Sequence, residues 1–350
     1  MKKLLIAAAA ALLSGCASYE GHKSTVAGFE PELKKNEKKT AIALAGDVML
    51  GRNVAHKILK YGPDYPFEFA AVYISGTAAA FCNLESPLIY EDKTTTLQKN
   101  GPKKIHFFGV SEAAKGIKNA GFTVVSLANN HTLDYRQNGV KQTLQILEEN
   151  GIMWNGIEKG NLGVPNEPAI IETDEGTIGL LCYSGVSHWR SQATKTRWGT
   201  MPANINVMRR DIRNARKKAD LIMVYLHWGL EGRSVRKAQR EKGRQLIDAG
   251  ADFVFGSHTH LFQDIEKYEG KFILYGLGNF VFDIKADNTK DTALVKVYLK
   301  DKKFDSIRLY PMRIENHRPV PVTDNAKARA FVEGLKLREI TVDEIYRDIY

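Results

Sequence analysis

Cysteine is scarce in this chain. Three occur in 350 residues, at positions 16, 82 and 182. Three thiols cannot build a disulfide framework, so the protein is not a small stapled scaffold. A membrane-spanning run is also missing from the N-terminal region. The apolar stretch Leu4–Leu13 falls well short of the about 20 residues that a bilayer requires. There is no internal repeat, and no low-complexity segment outside that stretch. A hydrophobic content of 43% and a charged content of 26% exclude a collagen-like or largely disordered chain. What remains is a soluble globular protein with room for one large or two small domains and a substantial core. Lysine and arginine total 50 against 40 acids, a formal net charge of +10. Such a surface attracts polyanions of any kind.

The N-terminus reads as an address. Met1-Lys2-Lys3, then Leu4–Leu13, then Ser14-Gly15-Cys16 has the layout of a secretory signal. Its ending resembles a bacterial lipobox, with cleavage before Cys16 and lipid on that cysteine. Residues 1–15 are the expected signal peptide, and the mature charge is then +8. Ala17 after the cysteine, in place of aspartate, points to the outer membrane if the source is diderm. Residues 16–39, with Lys34, Lys35, Lys38 and Lys39, are expected to be a solvated tether. The expected location is the cell envelope, with the membrane reached through the lipid. Nucleic acid is not an expected partner of an exported lipoprotein.

From Thr40 the chain alternates short apolar runs with helical patterns. Ala41–Ala45, Ala78–Cys82, Thr123–Leu127, Leu221–Leu226, Asp252–Phe255 and Lys271–Tyr275 are nearly continuously apolar, as strands buried on both faces are. Helices are expected over Ser111–Ala120, Asn138–Asn150, Ile205–Ala219 and Val235–Ala249, closed by Gly121, Gly151 and Gly250. Hairpins are expected around Asp174-Glu175-Gly176, Glu269-Gly270 and Lys300–Lys303, with glycine supplying positive φ. The class is α/β with mixed sheets, two of them packed together and covered by helices. The domain is expected over 40–321. A helical tail is expected over 322–350, with Leu337 on one of its apolar faces. Cys82 and Cys182 each sit inside an apolar strand, so they are expected to stay unpaired.

The informative residues follow the strands. Asp47, Glu85, the pair Asn130-His131, His227, and His258 with His260 each stand at the end of an apolar run. In α/β sheets, ligands bind beyond the carboxyl ends of strands. Imidazoles, carboxylates and an amide oxygen are the donors for zinc, manganese or iron. A divalent metal site drawn from these residues is therefore expected.

The runs Gly46-Asp47-Val48-Met49-Leu50-Gly51-Arg52, Asn83-Leu84-Glu85, Asn129-Asn130-His131, His227-Trp228-Gly229-Leu230-Glu231, Gly256-Ser257-His258-Thr259-His260 and Gly278-Asn279-Phe280 resemble the CapA family of poly-γ-glutamate capsule proteins, which looks like a branch of the calcineurin-like metallophosphoesterases. The resemblance covers residues 41–283. It implies a double β-sandwich flanked by helices, α/β/β/α, with one or two divalent ions at the sheet edge, held by Asp47, Glu85, Asn130, His227, His258 and His260. It implies that Asp47 and His260 serve one metal, that Asn130, His227 and His258 serve the other, and that Glu85 bridges them. It implies His131 as the residue that polarises or protonates the reacting group. Met49 stands where ordinary phosphoesterases place a histidine, which weakens the first site. Asp134 and Glu231 are expected to orient imidazoles. Arg52 and Asn279 are expected to contact an anionic substrate.

Three functions follow from the resemblance. The first is a metal-dependent hydrolase or transferase acting on poly-γ-glutamate or a related envelope polymer. The second is a non-catalytic, metal-stabilised component that binds the polymer or a synthase or export complex. The third is a periplasmic phosphodiesterase, against which Met49 argues. Basic runs at Arg209–Lys218 and Arg233–Arg244 suit a polyanionic partner, although such runs are usually solvated helix faces.

Overall fold

The computed structural model describes residues 40–101, 105–159 and 165–347, leaving aside the side chains at 94–96. The signal segment, Cys16 and the tether through residue 39 lie outside the described residues. Among the described residues no helix is long and apolar enough to cross a membrane.

Two large sheets form the centre. One runs in the order Arg318–Pro321, Lys303–Glu315, Asp291–Lys300, Thr40–Val48, Ala79–Leu84, Val124–Ser126, Met153–Asn155, with Asn279–Val281 also paired to Thr40–Val48. The other runs Leu337–Arg338, Ile265–Tyr268, Lys271–Leu274, Phe253–Ser257, Leu221–His227, Gly176–Ser184, Ala169–Thr173. In the first sheet Thr40–Val48, Ala79–Leu84, Val124–Ser126 and Met153–Asn155 run parallel, and the strands beyond Thr40–Val48 on its other side join antiparallel. In the second, Gly176–Ser184, Leu221–His227, Phe253–Ser257 and Lys271–Leu274 run parallel, with Ala169–Thr173 and Ile265–Tyr268 antiparallel to their neighbours. That mixture follows from the sequence, where helices separate the central strands and tight turns join the outer ones.

Alternation along the strands sets the layers. Ile42, Leu44 and Phe81 meet Tyr225, Phe253 and Phe255 between the sheets. The Phe81 and Phe255 rings cross edge to face at 4.8 Å. Ala43, Ala45, Ala80 and Cys82 face the other way, onto the helices Arg52–Tyr61, Ala113–Asn119 and Arg136–Glu149. On the far side Val224, Leu226 and Val254 pack with Met208, Ile212, Leu246 and Ile247 of the helices Ile205–Ala215 and Lys237–Asp248. The result is the expected double β-sandwich between two helical layers. Each central strand is buried on both faces, which is why its sequence is continuously apolar.

Several boundaries differ from the expectation. The first strand extends through Val48, so Asp47 lies inside it, paired in register with Asn83 and Asn279. The Asp47 amide donates to the Gly278 carbonyl at 2.9 Å. A Cβ on Gly46 would lie 2.0 Å from that carbonyl oxygen, so only glycine admits this approach. The Lys300–Lys303 hairpin has no glycine. Asp301 and Lys302 take positive φ themselves, at 52° and 55°. The tail is only partly helical, because Leu337 lies in a short strand beside Ile265. Ala328, Val332, Ile345 and Tyr346 of the tail join the core between the sheets. Cys82 and Cys182 are buried free thiols, as expected.

Candidate metal centre

The carboxyl ends of the parallel strands of both sheets meet at one edge. Asp47 and Asn83 come from one sheet, His227 and Ser257 from the other. Ser257 donates its hydroxyl to Asp47 Oδ1 across the sheets. Asn83 Nδ2 donates to the same oxygen at 2.8 Å, and the His258 backbone N–H donates to Asp47 Oδ2 at 3.2 Å. His227 Nδ1 faces the Tyr225 hydroxyl at 3.1 Å and Asn83 Nδ2 at 3.3 Å. Its Nε2 faces Asn130 Oδ1 at 3.0 Å and Glu85 Oε1 at 3.6 Å. Partners on the Nδ1 side fix the ring and leave Nε2 aimed at the carboxylate and amide oxygens.

Two sets of donors result. Glu85, His227 and His258 bring one ligand atom each to within 4.8 Å of one another, and so do Asp47, Glu85 and His260. Glu85 belongs to both. Asn130 joins the first set through its contact with His227 Nε2. Among the described residues Glu85 Oε2 and His258 Nδ1 are buried without a hydrogen-bond partner. Orphaned buried polar atoms are costly unless something else satisfies them. Carboxylate, imidazole and amide oxygen are the donors that a divalent ion takes. The residues present therefore fit one or two divalent ions. His258 and His260 also hold positive φ, 97° and 59°, a conformation that costs non-glycine residues about 1–3 kcal/mol and gathers at functional sites.

The electrostatics carry the same strain. Burial, then the neighbouring Glu85, pushes the Asp47 carboxyl up to about 6. Burial, then His227, pushes the His258 imidazole down to about 3. Burial also works against charge on His260, but Glu85 and Asp47 outweigh it and raise that imidazole. Several ionisable groups are packed together without enough countercharge, and a dication would supply it.

His131 lies beside this centre. Its Nδ1 is 2.7 Å from Asp134 Oδ2, which also accepts the Phe107 N–H at 2.7 Å. The His131 ring stacks on Phe107 with centroids 4.0 Å apart. Asp134 thus orients an imidazole as expected. Glu231 does not. It is exposed, and among the described residues no hydrogen bond ties it to a histidine. It reaches His260 only through its charge. Asn279 is fully buried, with Oδ1 2.8 Å from His260 Nδ1 and its amide donating to the Thr289 carbonyl at 3.1 Å. It holds a histidine instead of facing a ligand. Arg52 is partly exposed at the rim, paired through Nε to Asp283 at 3.1 Å and stacked over Phe107 at 4.9 Å. Met49 is buried in the helical layer, and its sulfur accepts the Gly51 N–H at 3.1 Å.

The sequence reading missed four supports: Asn83, Asn129, Tyr225 and Ser257. Asn129 donates to Asn83 Oδ1 at 3.2 Å, and its own Oδ1 accepts the His131 N–H at 3.0 Å. Three of them stood in the quoted motifs beside the expected ligands. Polar residues inside otherwise apolar runs were the available signal.

Layering and site together define an α/β/β/α sandwich with a candidate divalent-metal centre at the edge where its sheets meet. Residues 41–284 match the family described as bacterial capsule synthesis protein PGA_cap. The chain is 34% identical to the capsule biosynthesis protein CapA of Bacillus anthracis, over 83% of this chain and 71% of that protein. It is 32% identical to the PGA biosynthesis protein CapA of Bacillus subtilis, over 86% and 77% respectively. The chain belongs to this capsule synthesis family. Among solved structures, a phosphatase from Mycoplasma pneumoniae aligns with a TM-score of 0.48 and 11% identity, over 79% of this chain and 94% of that one. That distant likeness adds nothing to the assignment.

Proposed function

We propose that the protein is a metal-dependent hydrolase or transferase that acts on poly-γ-glutamate, or a related anionic envelope polymer, during capsule synthesis, export or processing. The observation that carries this reading is Glu85, shared by two donor sets beside an oriented His131–Asp134 pair. The relatives' names, for capsule and PGA biosynthesis, support the choice of polymer.

Asn130, His227 and His258 would hold one ion, Asp47 and His260 the other, with Glu85 between them. A bound divalent ion supplies Lewis acidity and an activated water at neutral pH. Asp134 accepts the Nδ1 proton of His131 and so leaves Nε2 to exchange a proton with the leaving group. The Phe107 face fixes the plane of that ring and keeps water from one side of it. Asn279 holds His260 in the same way. On this reading the chain works at the cell envelope, tethered through a lipid on Cys16, within reach of a synthase or export complex.

The test is turnover. Metal-loaded protein should cleave or transfer a γ-glutamyl amide or a phosphoester, and His131→Ala should abolish that turnover with metal content unchanged. Absence of turnover on both substrate classes with metal bound would leave the non-catalytic, polymer-binding role. The burial of Met49 away from the centre, where a further imidazole would otherwise stand, favours that second reading.

A further inference from the structure

Half of the basic residues in the runs that the sequence makes most conspicuous are paired with acids in the fold. Arg216 pairs with Asp252, Arg240 with Asp264 and Arg244 with Glu266. A shorter and less conspicuous element behaves differently. The helix Arg52–Tyr61 contains no acidic residue. Val54, Ala55 and Ile58 face the core, while Arg52, His56, Lys60 and Tyr61 are exposed and Lys57 is half-buried. Among the described residues Lys57 and Lys60 have no carboxylate partner. Asp283 and Glu68, the acids beside this face, are engaged by Arg52 and Arg318.

The cations are held in a row by aromatic rings. Tyr61 and Tyr65 stack with centroids 5.3 Å apart. Lys57 lies over both rings, at 5.3 and 5.9 Å, and Lys60 lies 5.0 Å over Tyr61. Arg318 lies 4.2 Å over Tyr65 and 4.5 Å over Phe69. Rings position cations without neutralising them, so the charges of Lys57 and Lys60 stay available to an outside anion. At its other end the row reaches the metal centre. Arg52 stacks on Phe107, which stacks on His131. A ten-residue helix is about 15 Å long, and here that length begins at the reacting histidine.

We propose that this helix face is a binding track for an extended polycarboxylate, which it feeds to the metal centre. The inference rests on the polyanion reading given above and adds the surface that recognises the chain. Two unpaired lysines toward one end of the helix, with Arg52 and Phe107 leading from its other end to His131, match a polymer with one carboxylate per repeat. Leu59 and Tyr61, exposed by 59% and 43%, offer apolar contact to the methylenes between those carboxylates.

The test uses the purified full-length chain with its metal and poly-γ-glutamate as probe, titrated at several salt concentrations. The double variant Lys57→Gln/Lys60→Gln should bind about tenfold more weakly, with a shallower dependence on salt, because fewer counterions are released. Its metal content and melting temperature should match the parent. Arg213→Gln/Lys217→Gln, at the end of the helix Ile205–Ala215 and in the turn after it, should bind like the parent. If the parent binds the polymer and the Lys57/Lys60 variant binds equally well, the track is overturned while the polymer reading stands. If the parent itself does not bind, the polymer reading fails and the track fails with it. If the variant loses only binding to vesicles of anionic lipid, the surface is a membrane contact and the proposal is wrong.

Discussion

Ser257 donates its hydroxyl to Asp47 across 210 positions of sequence, joining the end of a strand in one sheet to a strand in the other. Both residues are fully buried. The bond therefore ties the register of the two sheets to the geometry of the candidate metal centre. Ser257→Ala should cost about 1–3 kcal/mol of stability, because a buried carboxylate loses a donor. It should also weaken metal binding by roughly 10- to 100-fold, the usual effect of removing a residue that orients a ligand. Denaturant titration and calorimetric metal titration check the two effects separately.

The two donor sets predict a division of labour among variants. His258→Ala should weaken one ion and His260→Ala the other, whereas Glu85→Ala should weaken both. Elemental analysis after dialysis against graded chelator reads this out. Equal losses in all three variants would mean that the sets are not separate sites.

Asp134→Asn should leave metal content intact and lower turnover by about 10²-fold or more, within the range expected when a proton-transferring group is misaligned. The amide still fills the space beside His131 but no longer favours the Nδ1–H tautomer. The pH profile of the residual activity should shift as well, which a merely structural defect would not produce.

In the metal-free protein, Asp47 and His258 pull stability in opposite directions on acidification. Asp47 titrates near 6 in the folded chain against an ordinary 3.8, mainly through burial. It therefore favours the fold fully below about pH 4, and that contribution fades as pH rises through 6. His258 is lowered from 6.5 to about 3, again mainly by burial. The unfolded chain takes that proton first, so His258 works against the fold as pH falls below 6.5. His260, raised by Glu85 and Asp47, acts in the same direction as Asp47. Scanning calorimetry in chelator between pH 7 and 4 separates these contributions through variants. Relative to the parent, His258→Gln should gain melting temperature as pH falls, and Asp47→Asn should lose it.

Gly46→Ala should be among the most damaging small substitutions. The added methyl would overlap the Gly278 carbonyl, which is backbone and cannot swing aside. A loss of ~3 kcal/mol or more is expected, with metal affinity falling too, since Asp47 is the next residue. A melting temperature close to the parent would show that the strands separate there at little cost.

The class of fold and the candidate donor types were legible in the sequence alone. Continuous apolar runs require strands buried on both faces, and interspersed helical periods require covering layers, so a layered α/β sandwich was legible. Asp47, Glu85, Asn130, His227, His258 and His260 were legible because polar residues at the ends of buried strands have one common destination. Only the tertiary structure decided how those residues are shared out. Glu85 reaches both donor sets because two sheets bring their strand ends to the same edge, a relation between segments 142 positions apart that no local pattern encodes. Asn279 moved from substrate to support for the same reason, since its amide is used up on His260 and Thr289. The charged surface moved as well. Arginines crowded in sequence found acids across the fold, while Lys57 and Lys60 did not, because which charge meets which is settled by packing and not by spacing along the chain.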